Sequence, residues 1–298
     1  MIAIDGSKIA LPNTKGLRIH YGTTGAGNGA TTGQASFALD LLNNVIVDAG
    51  LHRLQDDERS QALGHLAVIA LQPQLKSLVL YDRGYASLKL FTTHTKTNIA
   101  CLFRMKSKFN SVMDELPLGD HLITIGVKTP IIVRILKFEL ENGTIEMLAT
   151  TLFDVALTLD FFKKLYSMRW GVETFIDVLK NKLELYNFSG RTIDALEQDF
   201  YTTLIQSLLL YVWVNDVNSN IRQKKDALYQ RKVNIKHAIG VLSDSFINLF
   251  LTQNTSPIIT KMTELIVRVT IPIMPNRHNE RWDFSRDTKY PQNSKSVV

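Results

Sequence analysis

The stretch from Leu165 to Gly190, LYSMRWGVETFIDVLKNKLELYNFSG, carries charges whose spacing matters. Wound as one helix at about 100° per residue, it puts Tyr166, Arg169, Glu173 and Lys180 on one narrow line, with Asp177 close by. Leu165, Val172, Ile176, Leu179 and Leu183 gather a quarter turn away as an apolar face fit to dock on a core. Read alone, the charged line is also what a solvated helix face looks like, with Asp177 and Lys180 as an ordinary ion pair three residues apart. Two aspartates elsewhere give it another meaning. Asp5 follows the apolar segment Ile2–Ile4 and enters Gly-Ser, which by itself reads as a turn. Asp82 ends the buried-type strand Leu75–Leu80 within YDRGYAS, where it could cap the next helix or stand where open α/β sheets place their chemistry. If both strands end on one edge and the helix lies across them, three carboxylates meet, and like charges so gathered must be neutralised. Oxygen-only donors favour Mg²⁺, with Mn²⁺ able to substitute. Two such ions about 4 Å apart could activate a water or a 3′-hydroxyl for in-line phosphodiester displacement.

The elements that must position these groups can be read along the chain. After Asp5, Ser7–Leu11 continues extended toward Pro12, and residues 17–52 read as two further strands. The Gly-rich interval Gly22–Gly33 lacks the Gly-Lys-Ser/Thr ending of a phosphate-binding loop and reads as a flexible hairpin or loop that could face DNA. Asp56–Leu71 has acidic residues in its first turn and helical apolar spacing. A helix over SLKLFTTHT and a strand over Asn98–Lys106 follow. Asn142-Gly143 between two alternating apolar runs signals a hairpin, so a β-rich insertion is expected at 111–158. This divides the chain into a first core portion at 1–110, the insertion at 111–158, a second core portion at 159–217, and a helical region with a polar tail at 218–298. Thr192–Val217 and Ile235–Leu251 read as helices. The basic segment IRQKKDALYQRK could track a phosphate backbone or be a solvated face, and the tail from Met274 has no apolar period.

Composition bounds the class. The 298 residues are 45% hydrophobic and 21% charged, an ordinary globular balance with room for a large core. The net charge of +6 favours a polyanionic partner. A single cysteine, Cys101, excludes an internal disulfide and an all-cysteine zinc site. The apolar run LIQSLLLYVWV is about half the length needed to span a bilayer, and no secretory leader is visible, so a cytoplasmic protein without a membrane partner is expected.

Taken together, Asp5-Gly-Ser, Tyr81-Asp82-Arg83-Gly84 and the spacing Tyr166, Arg169, Glu173, Lys180 resemble the motifs of IS4-family DDE insertion-sequence transposases, over residues 1 to about 200. The resemblance implies an RNase H-like (retroviral integrase-like) mixed sheet flanked by helices. It implies that Asp5, Asp82 and Glu173 are the catalytic residues and hold two Mg²⁺ ions. Tyr166, Arg169 and Lys180 would contact DNA near the cleaved phosphate, Arg169 as the bidentate clamp. The partners implied are double-stranded DNA, as transposon ends and target, and a second copy forming a dimer on DNA, with the protein on the nucleoid when bound. The chemistry implied is cleavage at transposon ends and strand transfer. Members of this family usually carry a helical DNA-binding domain ahead of the first aspartate. Its absence here, with the abrupt start on a strand, suggests a truncated form that is inactive or lacks end recognition. Two alternatives share the motifs: a nuclease of the same fold that does not join strands, and a non-catalytic DNA-binding remnant that regulates a full-length relative.

Overall fold

A computed structural model describes residues 1–25, 29–223 and 227–274. The chain divides into two compact units, one of Met1–Asp177 with Arg191–Glu197, the other of Val178–Gly190 with Gln198 onward. The tail beyond Met274 and the centre of the basic segment near 225 lie outside the described residues.

The first unit is built on one sheet. In chain order it holds β1 (Ile2–Ala10), α1 (Lys15–Tyr21), β2 (Thr23–Thr24), β3 (Ala30–Asp40), β4 (Val45–Arg53), α2 (Glu58–Ala70), β5 (Leu78–Tyr81), α3 (Leu88–Thr97) and β6 (Ala100–Arg104). These are followed by α4 (Ser111–Glu115), β7 (Gly119–Ile125), β8 (Ile131–Glu139), β9 (Ile145–Thr150), α5 (Leu159–Ser167) and the start of α6 (Trp170–Asn181). The strand order is β2-β3-β1-β5-β6-β9-β8-β7, with β4 also on β3. β1 is antiparallel to β3 and parallel to β5, and β5 is parallel to β6, so the sheet is mixed.

Side chains alternate across the strands, and one face collects Ile4, Ala38, Val79, Tyr81, Cys101 and Phe103 with Ala62 and Leu66 of α2 and Leu90 and Phe91 of α3. The residues between them on β1, β3, β5 and β6, Ala3, Phe37, Leu39, Leu80 and Leu102, are equally buried on the other face. Side chains cap the helix starts: Asp57 accepts from the Ser60 amide ahead of α2, and Ser87 from the Leu90 amide ahead of α3. Asn142-Gly143 does make the hairpin turn, with Gly143 at φ 78° and the Leu140 amide donating to the Thr144 carbonyl at 2.9 Å. The strands it joins extend the sheet beside β6, because β9 pairs antiparallel with it. The region 17–52 departs from the two-strand expectation in its first part, where Thr14 caps the short α1 and the two-residue β2 pairs with β3 ahead of the two expected strands.

β8 also carries a buried arginine. Arg134 Nε donates to both Asp120 oxygens, at 2.9 and 3.1 Å, while Nη1 and Nη2 donate to the carbonyls of Asp154 and Leu157 at 2.7 and 2.8 Å. Its guanidinium stands 5.2 Å from the centre of the Phe162 ring of α5. It pins the loop before α5 to the sheet.

The second unit contains the end of α6, most of α7 (Ile193–Asn220), β10 (Arg231–Val233), α8 (Ile235–Leu251), α9 (Ser256–Arg268) and β11 (Thr270–Pro272). β10 and β11 pair antiparallel, and Trp213 of α7 donates to Thr263 of α9 at 3.0 Å.

Candidate active site

The register of the central strands places the two aspartates. Ile2 lies opposite Val79 and Ile4 opposite Tyr81 in the parallel pair β1–β5. One residue further, Asp5 and Asp82 therefore stand side by side where β5 ends. Asp5 is not in a turn, as Asp-Gly-Ser suggested. β1 runs straight through it, with Asp5 opposite Phe37 and pairing unbroken from Ile2–Asp40 to Ala10–Thr32. A full ladder to β3 outweighs the local preference of Asp-Gly for a turn. What survives of that preference is a hydrogen bond from the Gly6 amide to Asp5 Oδ1 at 2.9 Å. Asp82 opens a turn in which the Tyr85 amide donates to its carbonyl at 3.1 Å. Ser87 takes the cap, so the Asp82 carboxylate stays free of that task.

The single long helix expected from Leu165 onward is broken. α5 stops at Ser167 and α6 starts at Trp170. Between them the amides of Met168, Arg169, Gly171 and Val172 donate three residues back, to Leu165, Tyr166, Met168 and Arg169, at 2.9–3.2 Å. Gly171 fits this junction because a Cβ there would come within 3.1 Å of Leu41 Cδ2. Arg169 sits in the break, 5% exposed. Its Nη1 is 3.5 Å from Asp5 Oδ2 and its Nη2 donates to Glu173 Oε1 at 2.8 Å, while its Nε is buried without a partner. Its charge also lies 5.8 Å from the ring centres of Tyr166 and Trp170. The Tyr166 hydroxyl reaches Asp82 Oδ1 at 3.4 Å.

The structure thus brings together Asp5, Asp82, Tyr166, Arg169 and Glu173. Lys180, later on α6, belongs to the second unit, where its ammonium stands 5.0 Å over the Tyr186 ring. Asp177 is exposed, whereas Val172, Ile176, Leu179 and Leu183 are buried as the helical pattern required.

Burial pushes the Asp5 carboxyl up to about 6; the Gly6 amide and Arg169 pull it back, and Glu173 and Asp82 add to the rise. Burial likewise holds the Tyr166 hydroxyl well above its ordinary range. For Arg169 burial opposes the charge, but the Glu173 hydrogen bond and the charges of Tyr166, Asp5 and Asp82 outweigh it and hold the guanidinium above its usual value. Among the described residues no three His, Cys, Asp or Glu side chains are already drawn to ion-holding distance. Arg169 stands between Asp5 and Glu173 and supplies the positive charge there. The donor set nevertheless fits a hard divalent cation: three carboxylates lie near one another, and burial together with Glu173 and Asp82 raises the cost of ionising Asp5.

Two further groups border this cluster. Tyr85, 2% exposed, has a buried hydroxyl without a partner, and its acidity is suppressed by burial and then by Asp5, Glu58 and Asp82. In the sequence Tyr85 was visible only as part of YDRGYAS, and Glu58 only as one of three acidic residues opening a helix.

Comparison with known proteins decides the family. The model of the transposase DDE domain matches residues 1–209. The chain belongs to that family. No curated protein sequence matches it. Among solved structures, the DDE chain is similar to the piggyBac transposase seen by cryo-EM in a synaptic complex with hairpin DNA, with a TM-score of 0.51 and 10% identity. The similarity covers 96% of this chain and 60% of that one. It identifies the mixed sheet flanked by helices as the RNase H-like DDE fold. No helix among the described residues is long and apolar enough to cross a membrane.

Proposed function

We propose that this DDE-family chain is a transposase core of the IS4 group that cleaves phosphodiester bonds at transposon ends and transfers the freed strands to target DNA. The observation that carries the proposal is the meeting of Asp5, Asp82 and Glu173 around one buried arginine, on a sheet whose parallel register aligns the two aspartates. Asp5, Asp82 and Glu173 would hold the divalent cations, Mg²⁺ or Mn²⁺, which when bound supply Lewis-acid stabilisation of the attacking and leaving oxygens. Arg169 carries positive charge at the cluster and has an unpaired Nε–H to offer a phosphate. Tyr166 orients Asp82 through its hydroxyl. Lys180 would contact the DNA backbone further along α6.

The partners in this reading are double-stranded DNA and, on it, a second copy of the chain. The piggyBac structure is itself a complex with hairpin DNA, which supports DNA as the ligand of this fold. Residues 111–158 would be a β-rich insertion packing against the transposon end. The site of action would be the cytoplasm, on the nucleoid.

The test is a Mn²⁺ titration followed by thermal unfolding, beside Asp82→Ala. A ligand that binds only the folded state stabilises it, by about 2.7 kcal/mol at a hundredfold excess over Kd, and so raises the midpoint. The expected outcome is a rise in the wild type that Asp82→Ala abolishes. A rise of equal size in both proteins would remove Asp82 from the site. Product analysis on end-bearing DNA then separates joined strands from simple hydrolysis, which would mark a nuclease instead.

A further inference from the structure

Gly6 follows Asp5 on β1, and strand alternation turns its position to the opposite face of the sheet, where α2 packs. Its lack of a side chain leaves room for a charge. A Cβ at Gly6 would stand 3.4 Å from Glu58 Oε1 and 3.5 Å from Gln34 Nε2. Glu58 is the first residue of α2, and its Oε1 accepts a hydrogen bond from Gln34 of β3, itself only 4% exposed. A glutamate in a first helical turn ordinarily serves the helix dipole and points into water. Here Glu58 remains exposed, yet its Oε1 is held by a buried amide close to the backbone beside Asp5.

A second observation points to the same place. The Tyr85 hydroxyl is buried, has no hydrogen-bond partner, and lies in the field of Asp5, Glu58 and Asp82 together. A buried phenol hydroxyl without a partner marks polar space that the protein's own groups do not fill.

We propose that Glu58 is a fourth carboxylate of the site, entering from the α2 face through the gap at Gly6, and that with Asp5 and Asp82 it helps to hold a divalent cation. Glu173 belongs to the opposite face, where Arg169 also meets Asp5. The sheet edge would then be approached by an acidic group from each side, a natural division of labour between two ions. Tyr85 sits behind the Glu58 side as a donor able to orient a carboxylate once a cation draws the groups together. This inference rests on the metal-dependent reading above.

The experiment counts Mn²⁺ ions by electron paramagnetic resonance in the full chain, comparing wild type, Glu58→Gln, Asp82→Asn and Asp57→Asn. Asp57→Asn removes one charge from the same helix start while keeping a capping side chain, so it reports charge without contact. The expected result is two ions on the wild type and on Asp57→Asn. In Glu58→Gln one ion remains while the other weakens at least about tenfold, and Asp82→Asn loses both. Circular dichroism of each variant establishes that it is folded. Wild-type binding in Glu58→Gln beside loss in Asp82→Asn would overturn the role of Glu58 and leave the three-carboxylate reading standing. Equal weakening in Glu58→Gln and Asp57→Asn would also overturn it, since contact would not matter. No Mn²⁺ bound by the wild type would overturn both readings.

Discussion

Two buried arginines in the first unit, almost equally hidden at 4% and 5% exposure, do opposite things with their hydrogen bonds. Arg134 has every nitrogen engaged by Asp120 and the carbonyls of Asp154 and Leu157, with the Phe162 ring against it. Arg169 leaves Nε without a partner and divides its charge between Glu173 and a more distant Asp5. A saturated guanidinium is a structural clasp, because removing it strands what it held. An under-satisfied one beside carboxylates retains capacity for a ligand. The contrast separates architecture from chemistry without reference to any relative.

The comparison can be broken by mutation. The largest effect expected is on stability: Arg134→Ala should cost about 3 kcal/mol in urea unfolding, because two carbonyls lose their donor and a cavity opens. Arg169→Ala should cost about 1 kcal/mol or less, since Asp5 can keep its proton and the half-exposed Glu173 can hydrate. Equal losses from the two substitutions would erase the distinction. In DNA cleavage the order should reverse, with Arg169→Ala lowering the rate by about 10²–10³ through lost charge stabilisation.

The next effect concerns pH. Burial holds the Asp5 carboxyl at about 6 in the folded chain against 3.8 as its ordinary value, so between these values the folded state binds more protons than the unfolded one. Stability from this group is therefore greatest at low pH, falls as pH rises from 3.8 to about 6, and stays lower above. Asp5→Asn should remove that fall and leave the protein more stable than wild type at pH 8, by on the order of 2 kcal/mol. Parallel stability–pH curves for the two proteins would contradict the burial of Asp5. The smallest effect should come from Tyr166→Phe, which loses one long hydrogen bond and about 0.5 kcal/mol of stability, and slows cleavage less than about tenfold.

These groups differ in how far they were legible in the chain. Asp82 was visible because a short apolar run ending in Tyr-Asp reads as a buried strand meeting its edge, and Asn142-Gly143 because its turn demands positive φ. Asp5 was visible as a motif but misplaced locally, since a two-residue turn preference carries no knowledge of β3, which lies thirty residues away. The break at Arg169 was hidden for a related reason. The apolar period from Val172 to Leu183 continues the earlier helix closely enough that a junction of one turn leaves no mark on it. Arg134 and Gln34 gave no signal at all, and Glu58 none beyond a helix start, because their meaning lies in which side chains the sheet brings beside them.

The strand through Asp5 is zipped to neighbours on both sides, whereas Arg169 and Glu173 are carried by a joint of a single turn bonded three residues back. The site is in this sense half bench and half vice jaw. The aspartates set a fixed datum against which a substrate is aligned, and the turn at Met168–Trp170 sets where Arg169 and Glu173 stand relative to it. Evolution could therefore retune how tightly this site grips by editing a few residues of that joint, leaving the sheet untouched.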